Sequence, residues 1–152
     1  MNSPASPAPK GYATVSPYLM VPDVKKELDF LLQVFDAEIK EQLPAADGSI
    51  GHGEIRIGDS TIMIGKSQEG YPDQAMTYIF VHDADAVFQK ALSLGATVVM
   101  EPADRFYGYR EGGFKDLFGN QWWVAGNHDR FARRNGTSVA RENEIILSSL
   151  II

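Results

Sequence analysis

Tyr18, Val21 and Asp23 are matched sixty residues later by Tyr78, Val81 and Asp83, and the match extends well beyond these positions. Each trio is followed by an amphipathic helical stripe, a short strand-forming run, and a Gly-centred turn into an apolar strand. Gly58-Asp59 before Thr61-Ile-Met-Ile64 has its counterpart in Gly119-Asn120 before Gln121-Trp-Trp-Val124. A unit of strand, helix and three strands, written twice, restricts the chain to a fold of two equivalent βαβββ modules. The class is α+β, two tandem units of one helix and four strands each.

In the first unit, Thr14 to Val21 reads as a strand with Val15, Leu19 and Val21 on one face. Pro17 inside it implies an edge or a bulge, since proline donates nothing to a ladder. Val24, Leu28, Leu31, Leu32 and Phe35 follow at i, i+4, i+7, i+8 and i+11, the stripe of an amphipathic helix begun at Asp23. Ala37 to Gln42 is a weaker strand, and His52 to Ile57 alternates cleanly into a hairpin at Gly58-Asp59. In the second unit, Val87, Phe88, Ala91 and Leu92 mark a helix from about Ala84 to Leu94 that Gly95 stops. Thr97 to Met100 is the next strand. Gly119-Asn120 reads as a two-residue turn of positive φ, and the strand after it sends Trp122 and Val124 to one face and Gln121, Trp123 and Ala125 to the other.

These elements give one globular domain over residues 14–127, with unit one at 14–66 and unit two at 76–126. Residues 1–13, with Pro4, Pro7 and Pro9 and no apolar core, read as a flexible arm and not a signal peptide. Residues 128–152 stand outside the repeat. They are locally basic through Arg130, Arg133, Arg134 and Arg141 and end in an apolar run suited to an added strand, a dimer contact or disorder. The net charge of −6 argues against nucleic acid as a partner, and no apolar run reaches bilayer length. The absence of cysteine removes disulfides, thiolate metal sites and a Cys nucleophile. A cytoplasmic protein is the expectation.

The repeat, with Val21-Pro-Asp23 and Val81-His-Asp83 ahead of the helices, resembles the vicinal oxygen chelate superfamily of glyoxalase, bleomycin-resistance and extradiol dioxygenase proteins. Leu94 to Pro102, Phe106-Tyr-Gly108 with Arg110, and Asp116-Leu-Phe-Gly119 are similar to its PhnB-like branch, with Leu117 where that branch usually has proline. The resemblance implies that the two βαβββ units form a cupped mixed sheet with helices on its convex side, and that the protein is a homodimer. It also implies a divalent ion held by His, Gln or Glu from the first and last strands of each unit. The corresponding strands here contain no His, Asp or Glu, and Ser16, Met63, Met76 and Trp123 align with the ligands. Gln121 alone cannot compensate a dication. No metal and no cofactor are therefore expected.

Alternation leaves a second face free of the helices. It collects Tyr18, Met20, His52, Glu54, Arg56, Met63, Tyr78, Phe80 and Trp123, an aromatic and thioether wall with a few polar groups. Tyr107 and Arg110, in a Gly-rich loop, are placed to close over a ligand, the Arg suiting an anionic group. His52 and Glu54 also form a candidate acid/base pair. Three readings follow. The face binds a small aromatic or amphipathic molecule without metal. It is the site of a lyase, isomerase or dioxygenase using His52, Glu54 or an atypical metal. Or the cavity has filled and the protein is a scaffold. An exposed polar face with an internal ion pair is the plain alternative for His52, Glu54 and Arg56. A partnerless surface Arg is the plain alternative for Arg110.

Overall fold

The computed structural model describes residues 6–127. Unit one runs β1 (Tyr18–Val21), α1 (Val24–Phe35), β2 (Glu38–Pro44), β3 (Ile50–Ile57) and β4 (Ser60–Lys66). Unit two repeats it as β5 (Met76–Phe80), α2 (Ala84–Ser93), β6 (Thr97–Asp104), β7 (Tyr109–Lys115) and β8 (Gln121–Asn127). Each unit contributes one four-stranded mixed sheet, ordered β1-β4-β3-β2 and β5-β8-β7-β6. The first strand of each unit lies parallel to the last, and the other pairings are antiparallel. The tandem βαβββ architecture is as the repeat predicts.

Both helices start where the sequence puts them. The Asp23 and Asp83 carboxylates accept from Lys26 N–H and Ala86 N–H, each at 3.0 Å, satisfying donors that helix geometry leaves free. α2 gives way at Leu94, and Gly95 takes φ +103°, a conformation that costs a side chain dearly. β1 is shorter than expected. It begins at Tyr18 because Pro17 has no N–H, although the Pro17 carbonyl still accepts from Met63 N–H at 3.0 Å.

The Gly58-Asp59 hairpin closes on the pair Ile57 and Ser60 as read. The second turn differs. Gly119 has φ +86° but Asn120 does not enter the left-handed region, and the loop spans Asp116 to Asn120. The Asp116 side chain organises it, accepting from Phe118 N–H at 2.9 Å and Asn120 N–H at 3.0 Å. A side chain that mimics a backbone acceptor makes the second positive φ unnecessary. Arg110 also stands on β7 and not in a loop.

One core serves both units. Leu19, Val21, Ile55, Ile62 and Ile64 are buried with Leu28 and Leu31, while Ile57, Ile79, Val81 and Val87 pack around them half-buried. The helices thus cover the face that alternation assigned to them. Phe114 of β7 is ringed by Phe30 and Phe35 of α1 and by Phe88 of α2, at centroid distances of 6.3–6.4 Å. Phe35 also tilts onto Trp122 at 5.2 Å. The first helix is therefore shared between the sheets, which is why neither unit needs a separate core. Among the described residues, no helix is long and apolar enough to cross a membrane. The readings made for residues 1–5 and 128–152 lie outside the described residues.

Candidate functional site

The face of each sheet turned away from the helices carries the chemistry. In unit one, the register sets Tyr18 beside Met63, Met63 beside Glu54, and Met20 beside Gly65, which is itself beside His52. In unit two, Tyr78, Trp123 and Gly113 occupy the row equivalent to Tyr18, Met63 and Glu54. Phe80, Ala125 and Glu111 repeat Met20, Gly65 and His52. The internal repeat is thus a repeat of the open face as well as of the scaffold.

Glu54 is the buried charge of the first face, only 6% exposed. Its carboxylate accepts from the Tyr12 hydroxyl and pairs with His52 Nε2 at 3.1 Å. Burial pushes the Glu54 carboxyl up, but the bonds from Tyr12 and His52 outweigh it and hold the group below its ordinary value. An ionised carboxylate only accepts, so Nε2 carries the ring proton. On the other side of the ring, Nδ1 stands 3.0 Å from the Tyr18 hydroxyl. Tyr18, His52 and Glu54 form a continuous chain from a half-exposed phenol to a buried anion. Tyr18 lies flat over the sheet because residue 65 is glycine, where an added Cβ would stand 2.7 Å from the Tyr18 oxygen.

Glu111 is the buried charge of the second face, 8% exposed. It accepts from the hydroxyls of Tyr78 and, at 2.7 Å, Tyr107. Arg105 Nε stands 3.8 Å from the same carboxylate. Burial and these bonds push the Tyr107 hydroxyl up to about 12 and raise Tyr78 as well. Rings in edge contact run Tyr78, Phe80, Tyr109, Tyr107, Phe106, at centroid distances of 5.1–6.1 Å. Phe80 is 67% exposed and Phe106 75%. The Trp123 ring covers Gly113, whose added Cβ would meet it at 3.0 Å.

The structure therefore gathers Tyr18, Met20, His52, Glu54 and Met63 on one open face and Tyr78, Phe80, Tyr107 and Trp123 on the other. Arg56 shares the first face but reaches its rim, paired with Glu38 at 3.0 Å. Arg110 points the other way, toward the helices. Asp85 of α2 and Asp104 of β6 hold it, the latter at 3.2 Å, and both raise its pKa. It is neither partnerless nor beside the aromatic wall.

Two carboxylate partners were not anticipated. Glu111 sits on a strand whose Gly112 and Gly113 mask the alternation, and Tyr12 lies in a proline-rich segment without periodicity. The donor set does not suit a divalent ion. Of the four aligned positions, Trp123 offers no lone pair, Met63 and Met76 offer only thioethers, and Ser16 a hydroxyl. Among the described residues, no three His, Asp or Glu side chains are grouped to hold a metal.

The comparisons bear on the fold and the family. Uncharacterized protein Rv0887c of Mycobacterium tuberculosis is 36% identical over 122 residues, 71% of each chain. TioX from Micromonospora sp. ML1 superimposes with a TM-score of 0.64 at 24% identity, over 75% of this chain and 99% of its own. The PhnB protein of Bacillus cereus does so with a TM-score of 0.61 at 18% identity, over 74% and 98%. These structural likenesses speak for the fold alone. The family model for the Glyoxalase/Bleomycin resistance protein/Dioxygenase superfamily matches residues 12–124, nearly the whole of both βαβββ units, and the chain belongs to that superfamily.

Proposed function

We propose that this protein binds a small, partly aromatic or amphipathic organic molecule on the open faces of its sheets, without a divalent metal, and sequesters it. The observation that carries the reading is the character of those faces. Tyr18, Met76, Tyr78 and Phe80 are 43–67% exposed, where a merely solvated sheet would carry Lys, Glu and Thr. Leaving such surface in water costs about 25 cal/mol per Å². Beneath it, Glu54 and Glu111 supply a few fixed polar groups, the usual composition of a small-molecule site. A homodimer, a cytoplasmic location and a place in the PhnB-like branch belong to the same reading. The last draws on the Phe106-Tyr-Gly108 and Asp116-Leu-Phe-Gly119 motifs.

The Tyr18–His52–Glu54 chain favours a second reading, a lyase, isomerase or dioxygenase of the superfamily. His52 between a phenol and a carboxylate is an arrangement suited to proton transfer. Native mass spectrometry of the purified protein, before and after chelation, separates the two. Sequestration predicts an organic adduct that survives the chelator. One equivalent of a divalent ion that survives dialysis, with turnover that depends on it, would refute the metal-free reading.

A further inference from the structure

Residues 7–14 lie against the open face of unit one, and Tyr12 is their anchor. Its ring sits under the Lys40 ammonium, with Nζ 3.4 Å from the ring centroid. Its hydroxyl donates to Glu54. Lys40 is itself fixed, donating to the Gly11 carbonyl at 3.0 Å and to the hydroxyl of buried Thr61 at 3.1 Å. One phenol thus receives a cation on its face and a carboxylate at its oxygen, a pairing that is electrostatically favourable at both ends. Beside it, Tyr12 joins Pro7, Pro9, Ser16, Glu54 and Met63 in lining a cavity of 680 Å³. That is ample for a drug-sized molecule.

Tyr12 belongs to no strand or helix. What holds its ring is side-chain chemistry that a free phenol reproduces atom for atom. We propose that the niche between Lys40 and Glu54, at the wall of this cavity, is a phenol site which the chain keeps occupied with its own Tyr12, and that the ligand is a neutral phenol that displaces the arm. The inference rests on the open faces being the ligand-bearing surface, and it names the class of ligand. The neutral form is required. A phenolate would have no proton for the Glu54 carboxylate and would be repelled by it. An apolar substituent on the ring would lie against Met63 and Ser16, in space that Tyr12 leaves unfilled.

The experiment uses the full chain with [¹³C-methyl]methionine labelling and titrates 4-ethylphenol and 4-ethylanisole, following the Met20, Met63 and Met76 methyls. Tyr12→Ala removes the internal occupant and is expected to tighten 4-ethylphenol binding roughly tenfold or more, the worth of one hydrogen bond to a charged group. Tyr12→Phe keeps the ring but not the bond to Glu54, and should give a smaller gain in a chain certain to pack as before. The anisole, which has no proton to donate, should gain nothing, and the phenol's shifts should centre on Met63. Equal 4-ethylphenol affinity in wild type and both variants overturns the proposal, and so does an equal gain for the anisole. If the probe then shifts Met76 without Met63, the open faces still bind small molecules and only the phenol site falls. Silence at every methyl would remove both.

Discussion

Glu27 of α1 and Asp116 of the β7–β8 turn bring two carboxyl groups together inside the core, one from each unit. Glu27 is fully buried, and no group donates to either of its oxygens. Asp116 is already the acceptor for two backbone N–H groups and for Trp122 Nε1, the last at 2.8 Å. Two such groups share a hydrogen bond only if one keeps its proton, and Glu27 is the one. Burial, reinforced by Asp116, pushes it up to about 10.

Stability should therefore fall as pH rises. The folded chain holds the Glu27 proton where the unfolded chain has lost it, so up to about 1.4 kcal/mol is forfeited per pH unit from the ordinary carboxyl range to about 10. Glu27→Gln, which imitates the protonated acid and still donates to Asp116, should flatten this slope. It should gain several kcal/mol over wild type at pH 8, on the order of 5, and little at pH 4. Urea midpoints of both proteins across pH 4–9 measure it. Parallel curves would mean that Glu27 does not carry the proton.

Gly65→Ala should separate Tyr18 from His52. The new Cβ would stand 2.7 Å from the phenol oxygen, and a half-exposed ring can swing away, so the fold should lose only about 1 kcal/mol. The imidazole ¹⁵N spectrum reports the result, because Nδ1 loses its phenol partner while Nε2 keeps Glu54. An unchanged Nδ1 resonance would place Tyr18 elsewhere in solution.

The phenols around Glu111 should resist ionisation. Tyr107 should titrate near 12 in the ultraviolet, and Glu111→Gln should bring it back toward the ordinary tyrosine value of about 10. The stability that Tyr107 draws from this bond is present below its unfolded pKa and lost as pH climbs through the folded one. Titration of Tyr107 at its ordinary value in the wild type would remove the bond to Glu111 from the account.

These residues show where sequence reading succeeds and where it stops. Alternation in β1, β3, β4 and β8 assigned Ile55, Ile62, Ile64, Trp122 and Val124 to the core and left Tyr18, Met63 and Trp123 for the open face, because a two-residue period admits no intermediate register. β7 was illegible for a physical reason. Gly112 and Gly113 bring no side chain to the pattern, the one because Pro102 crowds it and the other because Trp123 covers it, so Glu111 between Arg110 and these glycines looked like loop. Arg110 was misjudged along with it, since its partner Asp85 lies on α2, twenty-five residues away, and Asp104 faces it only once β6 and β7 pair. Tyr12 has only tertiary partners, Lys40 and Glu54, and no local signal could have announced it. Glu27 was visible in principle. It stands on the apolar stripe of α1 between Val24 and Leu28, where a charge needs an explanation.

The account turns on whether the open faces hold a molecule or another subunit, and Trp123→Ala decides it. The ring lies over Gly113 in the row it shares with Tyr78, so its removal strips the second face of its largest anchor without opening the core, which Trp122 fills. Native mass spectrometry reads ligand occupancy and subunit number in one spectrum. The prediction is a dimer that remains intact while ligand retention weakens by roughly 1–3 kcal/mol, the worth of an aromatic stacking anchor. Monomers that keep their ligand undiminished would contradict it and make this face an interface.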